Sequence, residues 1–196
     1  MSMKLDNGVN YIVSGLERSG TSMLMQILHN GGIPTSFDDA RPADESNPKG
    51  YFELNGGKII NRLMDGAFPF DEFKGTFIKI TCYGLKFLPE GKYKIIYSDR
   101  NIEEILRSME KMANIKDEDR DETREVFQKL NSMIKNLIKQ RDDCDVLFVN
   151  YNRILKDPET EITKIADFVG GSTVDKDAMI ATIDKKLYRQ RHSSKT

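Results

Sequence analysis

The sequence predicts an α/β fold in which a parallel sheet lies between two layers of helices. Three observations lead to this prediction: four short apolar segments, longer segments of helical periodicity between and after them, and a glycine-containing turn that joins the first strand to the first helix. Alternation of strands and helices is typical of a parallel sheet with crossover helices. Strands that are short and continuously apolar are typical of a sheet covered on both faces.

The strands and helices follow from local patterns. Short β-rich segments predict strands at residues 11–14, 76–80, 94–98 and 146–149. Apolar positions repeated at helical spacing predict helices at residues 23–30, 101–112, 126–138 and 157–170. Asn101 with Glu104 resembles a capping box, and Asp157-Pro158 supplies an N-cap followed by a first-turn proline. The charged residues 116–122 predict an exposed loop, and residues 33–49 predict the long functional loop because turn-forming and acidic residues cluster there.

The composition is that of a globular protein. The 196 residues suffice for a sizeable core and predict one domain spanning residues 1–196. The 30 Lys and Arg nearly balance the 31 Asp and Glu, which argues against a nucleic-acid partner. No apolar run approaches the roughly 20 residues that span a bilayer, and the first residues lack the apolar segment of a signal peptide, so we expect a cytoplasmic protein without a membrane partner. Cys82 and Cys144 lack metal-ligand spacing and are expected to be free thiols in the core or at its boundary.

Residues 15–22, between the first strand and the first helix, have the features of a phosphate-binding loop. Gly15 and Gly20 have the spacing of a P-loop, in which glycines permit a tight turn and the following helix N-terminus attracts an anion. A nucleotide triphosphatase carries lysine at the position of Thr21, whereas this chain carries its cation inside the loop, at Arg18. The sequence therefore predicts a three-layer fold of the P-loop type that binds a phosphate or sulfate; the alternative is a plain turn.

Four segments resemble the sulfotransferases that use 3′-phosphoadenosine 5′-phosphosulfate (PAPS). The string SGLERSGTSML resembles their 5′-phosphosulfate loop, and IIYSDRNIEEILRS resembles the strand-to-helix segment whose Arg and Ser, eight residues apart, hold the 3′-phosphate. NPKGYFE and VNYNRILKDPETEITKIADFVG are similar to segments of bacterial members. The resemblance extends from residue 11 to about residue 171, and its first two motifs are the more specific ones.

The resemblance implies a site for the nucleotide donor. The residues implied to bind the 5′-phosphosulfate are Ser19, Gly20, Thr21 and Ser22. Arg18 would neutralise charge on the leaving phosphate, and Arg100 with Ser108 would hold the 3′-phosphate. Arg189 and Arg191 lie in a basic C-terminal segment that would contribute further phosphate contacts, with a frayed terminus as the alternative.

The general base is the part of the family pattern that this chain lacks. The cytosolic members have a Lys-Thr-His core on a central strand, but residues 79–81 are Lys-Ile-Thr. The only histidines are His192 and His29, and His29 lies about 12 Å along the first helix from the phosphate loop, too far for direct proton transfer. Since some sulfotransferases use Glu in place of His, we expect Glu53 of NPKGYFE to be the base; the alternative is a carboxylate that stabilises a helix N-terminus. Lys79 is expected to assist the transferred group; the alternative is a solvated lysine at the end of a strand.

These observations predict an enzyme that transfers the sulfuryl group of PAPS to an acceptor hydroxyl or amine and releases adenosine 3′,5′-bisphosphate (PAP). No metal site is expected, because a sulfate ester carries less charge than a terminal phosphate. No motif specifies the acceptor. Two alternatives stay open: a small-molecule kinase that uses Mg-ATP, with Asp99 as the magnesium ligand, and a non-catalytic nucleotide-binding protein.

Overall fold

The computed structural model describes residues 3–170 and 173–184, and its centre is a parallel sheet. The four strands lie in the order β2-β1-β3-β4. They are β1 (Asn10–Gly15), β2 (Phe77–Lys79), β3 (Tyr93–Asp99) and β4 (Cys144–Asn150). All neighbouring pairs are parallel, so the predicted strands and the predicted type of sheet are confirmed.

Seven α-helices occur in the described residues. They are α1 (Thr21–Asn30), α2 (Ile60–Met64), α3 (Ile102–Ala113), α4 (Arg120–Gln140), α5 (Tyr151–Lys156), α6 (Pro158–Val169) and α7 (Lys176–Thr182). Helices α1, α3, α4 and α6 confirm the predicted ones, and the Asn101 and Asp157 side chains cap α3 and α6 as expected. Helix α2 is the helix that the alternative role of Glu53 supposes. Helices α5 and α7 were not predicted, because 6 and 7 residues are too few to show helical periodicity. In residues 3–170 and 173–184, no helix has both the length and the hydropathy needed to cross a membrane.

Helix α4 begins earlier than the sequence predicted. Residues 116–122 were expected to form a loop, but the helix starts at Arg120. Asp121 and Glu122 occupy its first turn, where negative charge stabilises the helix N-terminus. Arg120 forms ion pairs with Glu103 and Glu110 of α3, so the charges of this segment hold the helix start against its neighbour.

Helices cover both faces of the sheet, which confirms the three layers. On one face, Tyr11 and Val13 of β1 belong to a buried cluster that includes residues of α1, α6 and α7. On the other face, Ile12 belongs to a second buried cluster that includes residues of α3 and α4. Successive strand residues point to opposite faces, so one short apolar strand contributes to both halves of the core.

The sheet order determines where a ligand can bind. Strand β1 is flanked by β2 on one side and by β3 on the other. The strand order therefore reverses at β1, because the chain adds β2 on one side of it and then crosses over to add β3 on the other. In open parallel sheets, ligands bind at such a point, beyond the carboxyl ends of the strands. The carboxyl ends of β1, β2 and β3 carry the phosphate loop, Lys79 and Arg100, which are thereby brought to the same edge.

Both cysteines are free thiols, as predicted; Cys82 is buried and Cys144 is partly buried. Burial raises the pKa of the Cys82 thiol from its ordinary value of 9.0 to about 12, and that of Cys144 to about 11. An unfolded chain ionises these thiols at lower pH than the folded chain does. The contribution of the protonated thiols to the free energy of unfolding is therefore complete below pH 9. It is lost progressively as the pH rises towards the pKa values of the thiols in the folded chain.

We expect the free energy of unfolding to be about 2 kcal/mol lower at about pH 10.5 than at about pH 8 through Cys82 alone. Urea denaturation at the two pH values measures the difference. Cys82→Ala serves as the matched comparison, since the pH-dependent loss should shrink by that amount even though the variant is less stable at both values. An identical loss in the two proteins would contradict this assignment.

Candidate active site

Two glycines give the phosphate loop, residues 15–22, its shape. A Cβ atom at Gly15 would lie 2.6 Å from the carbonyl oxygen of Ser98, at the end of β3. Gly20 has a φ of 105°, and a Cβ there would lie 2.4 Å from Cδ2 of Tyr151 in α5. Both positions therefore require glycine, because backbone and ring approach too closely for any side chain.

The N-terminus of α1 is open to an anion. No side chain caps it, and its first turn contains no acidic residue. The first backbone N–H groups of a helix have no partner within the helix and carry a partial positive charge, so they favour a bound phosphate or sulfate. The side chains of Thr21 and Ser22 belong to the same first turn and face the cleft described next.

A cleft of about 430 Å³ lies over this loop and the carboxyl ends of the strands. The sequence-predicted residues that line it are Arg18, Gly20, Thr21, Ser22, Glu53, Lys79, Arg100 and Ser108. Ser19 is buried and does not line the cleft: its N–H donates to the Leu16 carbonyl at 3.1 Å, and its own carbonyl accepts from the Ser98 hydroxyl at 2.8 Å. Arg189 and Arg191 lie outside the described residues.

The phosphate loop and the predicted 3′-phosphate residues are in direct contact. Arg18 Nε donates to the Ser108 hydroxyl at 3.1 Å, and Arg100 Nη1 donates to the Arg18 carbonyl at 3.0 Å. Arg100 is itself held by an ion pair of 3.0 Å with Glu104, and its guanidinium lies 4.3 Å from the ring centroid of Tyr151. Arg18, Glu104 and Tyr151 thus fix the position of Arg100 at the edge of the cleft.

Lys79 connects Glu53 to the phosphate loop. Its Nζ lies 2.8 Å from Glu53 Oε1, and it donates to the Ser22 hydroxyl at 3.0 Å and to the Tyr51 carbonyl at 2.6 Å. Burial lowers the pKa of Lys79, and the Glu53 carboxylate opposes that shift. A cation from β2 therefore reaches the first turn of α1, where the sequence has Thr21 in place of the P-loop lysine.

A second cation, Arg41, holds the other oxygen of Glu53. Arg41 Nη1 lies 3.2 Å from Glu53 Oε2, and its guanidinium carbon lies 3.5 Å from the ring centroid of Tyr51. The Tyr51 hydroxyl donates to both oxygens of Asp44, at 2.8 and 3.0 Å. Sequence reasoning missed Arg41 as a site residue, because it stands in the acidic loop of residues 33–49 and belongs to no motif.

Glu53 is not at the start of a helix, the alternative that the sequence left open. It precedes a 3-10 turn (Asn55–Gly57) and lies seven residues before α2. A Cβ at Gly57 would lie 2.8 Å from Glu53 Oε2, so the turn packs directly against the carboxylate. The contacts of Glu53 are those of a carboxylate held between two cations at the edge of the cleft.

Two other sequence candidates lie away from the cleft. Asp99, the magnesium ligand of the kinase alternative, pairs with Lys135 and accepts from Asn131 Nδ2 at 3.2 Å, both in α4. His29 Nδ1 lies 2.8 Å from the Thr35 hydroxyl, and the histidine does not line the cleft. Among the described residues, no group of three or more His, Cys, Asp or Glu side chains has the arrangement needed to hold a metal ion.

This combination of a parallel sheet, an open phosphate loop and a basic cleft defines a P-loop-like α/β protein. The family model for the sulfotransferase domain matches residues 10–195, and the chain therefore belongs to the sulfotransferase family. No curated protein sequence matches it.

Solved sulfotransferase structures share the fold. Sulfotransferase STF1 from Mycobacterium tuberculosis superposes with a TM-score of 0.59 at 15% identity, over 94% of this chain and 74% of that one. The sulfotransferase domain of the Synechococcus PCC 7002 olefin synthase gives a TM-score of 0.55 at 15% identity, over 96% and 83%. The sulfotransferase domain from the curacin biosynthetic pathway gives 0.51 at 13% identity, over 95% and 80%. At these identities the similarity establishes the fold.

Proposed function

We propose that the protein transfers the sulfuryl group of PAPS to an acceptor hydroxyl or amine. The observation that carries this proposal is the contact between Arg18 and Ser108, 3.1 Å from Nε to the hydroxyl oxygen. It joins the phosphate loop to the predicted 3′-phosphate residues in one continuous cleft. A nucleotide that carries anionic groups at both its 5′ and 3′ positions matches that arrangement.

The charge of the cleft fits such a nucleotide. Its basic lining residues are Arg18, Arg41, Lys49, Lys58, Lys79, Arg100 and Lys111, and its acidic ones are Glu17, Glu45, Glu53 and Asp184. Seven cations against four carboxylates leave a net positive lining, to which the open N-terminus of α1 adds its partial charge. The excess of cations favours a ligand with several negative charges.

PAPS supplies the sulfuryl group: the bond from sulfur to the acceptor oxygen or nitrogen forms as the bond from sulfur to the 5′-phosphate oxygen breaks. The first turn of α1, with Thr21 and Ser22, donates hydrogen bonds at the phosphosulfate end. Arg18 stabilises the charge that develops on the departing phosphate. Arg100 and Ser108 hold the 3′-phosphate and so fix the donor along the cleft.

Glu53 receives the acceptor proton in this proposal. Its two oxygens lie 2.8 Å from Lys79 Nζ and 3.2 Å from Arg41 Nη1, at the edge of the cleft where an acceptor can reach the carboxylate. Lys79 also touches Ser22, so it lies between the base and the phosphate loop, where the transferred group must pass. From there its ammonium group can bind the sulfuryl oxygens while Glu53 takes the proton.

The two alternative functions make different demands. A kinase needs a magnesium ligand, and the engagement of Asp99 with Lys135 and Asn131 does not favour that reading. A non-catalytic nucleotide-binding protein needs no base beside the phosphate loop. Here Glu53 pairs with Lys79, and Lys79 in turn donates to Ser22 of that loop, so a carboxylate is held close to it.

Isothermal titration calorimetry of the protein, once with PAP in the absence of metal and once with Mg-ATP, tests which nucleotide it binds. We expect PAP to bind and Mg-ATP to bind at least tenfold more weakly, because ATP lacks the 3′-phosphate held by Arg100 and Ser108. Tighter binding of Mg-ATP would favour the kinase. Transfer of radiolabelled sulfate from PAPS across a panel of alcohols and amines then separates an enzyme from a binding protein.

Arg18→Ala is expected to lower turnover by about 10²- to 10³-fold while changing PAP affinity much less, because the guanidinium acts on charge that develops in the transition state. Single-turnover rates with PAPS, alongside PAP titration, measure the two effects separately. Arg62→Ala, in α2 and outside the cleft, is the matched control and should behave as the wild type. Equal losses in rate and in PAP affinity would show that Arg18 only holds the ligand.

A further inference from the structure

We propose that Arg41 recognises an anionic group on the acceptor, so that the acceptor is an alcohol or amine that also carries a phosphate, sulfate or carboxylate. This inference rests on the proposed function, since it concerns the acceptor end of the same cleft. It names a recognition residue and a substrate class, and both follow from the contacts around Glu53.

The contacts order the site by depth. Ser22 of the phosphate loop touches Lys79, Lys79 pairs with Glu53, and Glu53 pairs with Arg41. The exposed fraction of the side chains rises along this series, from 6% for Lys79 through 11% for Glu53 to 38% for Arg41. An acceptor that approaches Glu53 from solvent therefore meets Arg41 on its way to the donor.

Arg41 is positioned to bind an anion. Its guanidinium lies flat against Tyr51 at 3.5 Å, and the Tyr51 hydroxyl is anchored by Asp44. In the described part of the chain, its one hydrogen bond is the bond of 3.2 Å to Glu53. A guanidinium has five N–H donors in a planar fork that matches the oxygens of a phosphate or carboxylate, so most of its donors remain for a ligand.

The surroundings of Arg41 favour a charged acceptor over an apolar one. A Cβ atom added at Gly56 would lie 3.7 Å from Arg41 Cβ, and one added at Gly57 would lie 2.8 Å from Glu53 Oε2. Glycine backbone therefore forms the wall of the cleft beside these two side chains. Lys58 follows directly, lines the cleft, is exposed, and forms no ion pair with the described residues. Two cations line this wall of glycine backbone, and the carboxylates beside Arg41 are engaged, because Glu53 pairs with Lys79 and Asp44 accepts from the Tyr51 hydroxyl. An anion can therefore compete for the guanidinium.

Binding of that anion also makes Glu53 available. In the structure without ligand, Arg41 occupies Oε2 and Lys79 occupies Oε1. An anionic group on the acceptor competes with Glu53 for the guanidinium and leaves Oε2 to accept the hydrogen bond of the reacting hydroxyl or amine. The base is then presented only when the correct class of acceptor is bound.

The test uses the full chain saturated with PAP, so that the phosphate loop and the 3′-phosphate residues are occupied. Glycerol 3-phosphate and glycerol are the probes, and binding is followed by ligand-observed NMR titration. We expect glycerol 3-phosphate to bind at least about tenfold more tightly than glycerol. Arg41→Gln should reduce the ratio of the two affinities about tenfold and leave PAP affinity within about twofold of the wild-type value. Arg62→Gln, at an exposed arginine of α2 outside the cleft, is the matched control and should keep the preference.

An undiminished preference in Arg41→Gln, or no preference in the wild type, overturns the inference. Thermal unfolding checks that each variant is folded. If Arg41→Gln does not fold, Lys58→Gln, at an exposed position, replaces it. We expect Lys58→Gln to reduce the preference for glycerol 3-phosphate about threefold. No loss in Lys58→Gln would then count against the inference. Failure of PAP to bind the wild type overturns the proposed function itself, and the preliminary PAP titration detects that separately.

Discussion

Arg100→Ala is expected to destabilise the folded protein by about 3 kcal/mol, because it removes an ion pair from the buried Glu104 carboxylate. Glu104 is 1% exposed and pairs with Arg100 at 3.0 Å. Asn152 Nδ2 also donates to this carboxylate, at 3.0 Å, but a neutral donor does not replace the charge of the guanidinium. The same variant loses the proposed 3′-phosphate contact, which should weaken PAP binding by about 10- to 150-fold.

A double variant separates these two effects. Arg100→Ala combined with Glu104→Gln removes the buried negative charge together with the cation that balances it, so urea denaturation should show most of the stability restored. The weakened PAP binding should persist, and adenosine 5′-phosphate, which has no 3′-phosphate, should bind nearly as it does to the wild type. If both nucleotides are weakened equally in the double variant, Arg100 does not recognise the 3′-phosphate.

Glu53→Gln is expected to lower sulfuryl transfer by about 10²- to 10⁴-fold, since the amide keeps the shape of the side chain but cannot accept the acceptor proton. The glutamine oxygen can still accept a hydrogen bond from Lys79, so the site should stay assembled. PAP affinity should therefore change little. The thermal midpoint should fall modestly, because Lys79 loses its carboxylate but keeps its hydrogen bonds to the Ser22 hydroxyl and the Tyr51 carbonyl. Burial already lowers the pKa of Lys79 and the Glu53 carboxylate opposes that shift, so removal of the carboxylate lowers it further.

Turnover with PAPS and a verified acceptor measures this effect. The matched control is Asp38→Asn, in the loop that carries the other acidic candidates. Asp38 accepts hydrogen bonds from the backbone N–H groups of Ala40 and Asn55, at 2.9 and 2.6 Å, and does not line the cleft. Normal turnover in Glu53→Gln would place the base elsewhere, with Asp39 and Asp44 of the same loop as the next candidates.

The sequence predicted those parts of the site that depend on local order. The phosphate loop is recognisable because two glycines stand at a fixed spacing between a strand and a helix, and each proves to be required by a close approach. Arg100 and Ser108 are recognisable because one follows a strand and the other lies two turns along the next helix. Strands and long helices follow from periodicity for the same reason.

The remaining parts depend on contacts between distant segments. Lys79 and Glu53 meet because β2 pairs with β1 and carries Lys79 to the phosphate loop, which no local pattern encodes. Phe52 has a φ of 55°, a left-handed conformation that is uncommon outside glycine and that turns the chain between Tyr51 and Glu53. Arg41 contacts Glu53 only because the chain turns at Phe52, so the sequence alone does not predict this contact.

The ring of Tyr151 sets a fixed distance between the proposed 5′-phosphosulfate and 3′-phosphate parts of the cleft. One edge of the ring lies against Gly20 of the phosphate loop, and the guanidinium of Arg100 lies 4.3 Å from its centroid. A side chain with only two rotatable torsions, buried in this way, acts as a rigid spacer. Ligands are thus sorted by the separation of their charged groups as well as by their number, so that an isomer with its second phosphate displaced by one bond on the ribose meets the same charges at the wrong distance.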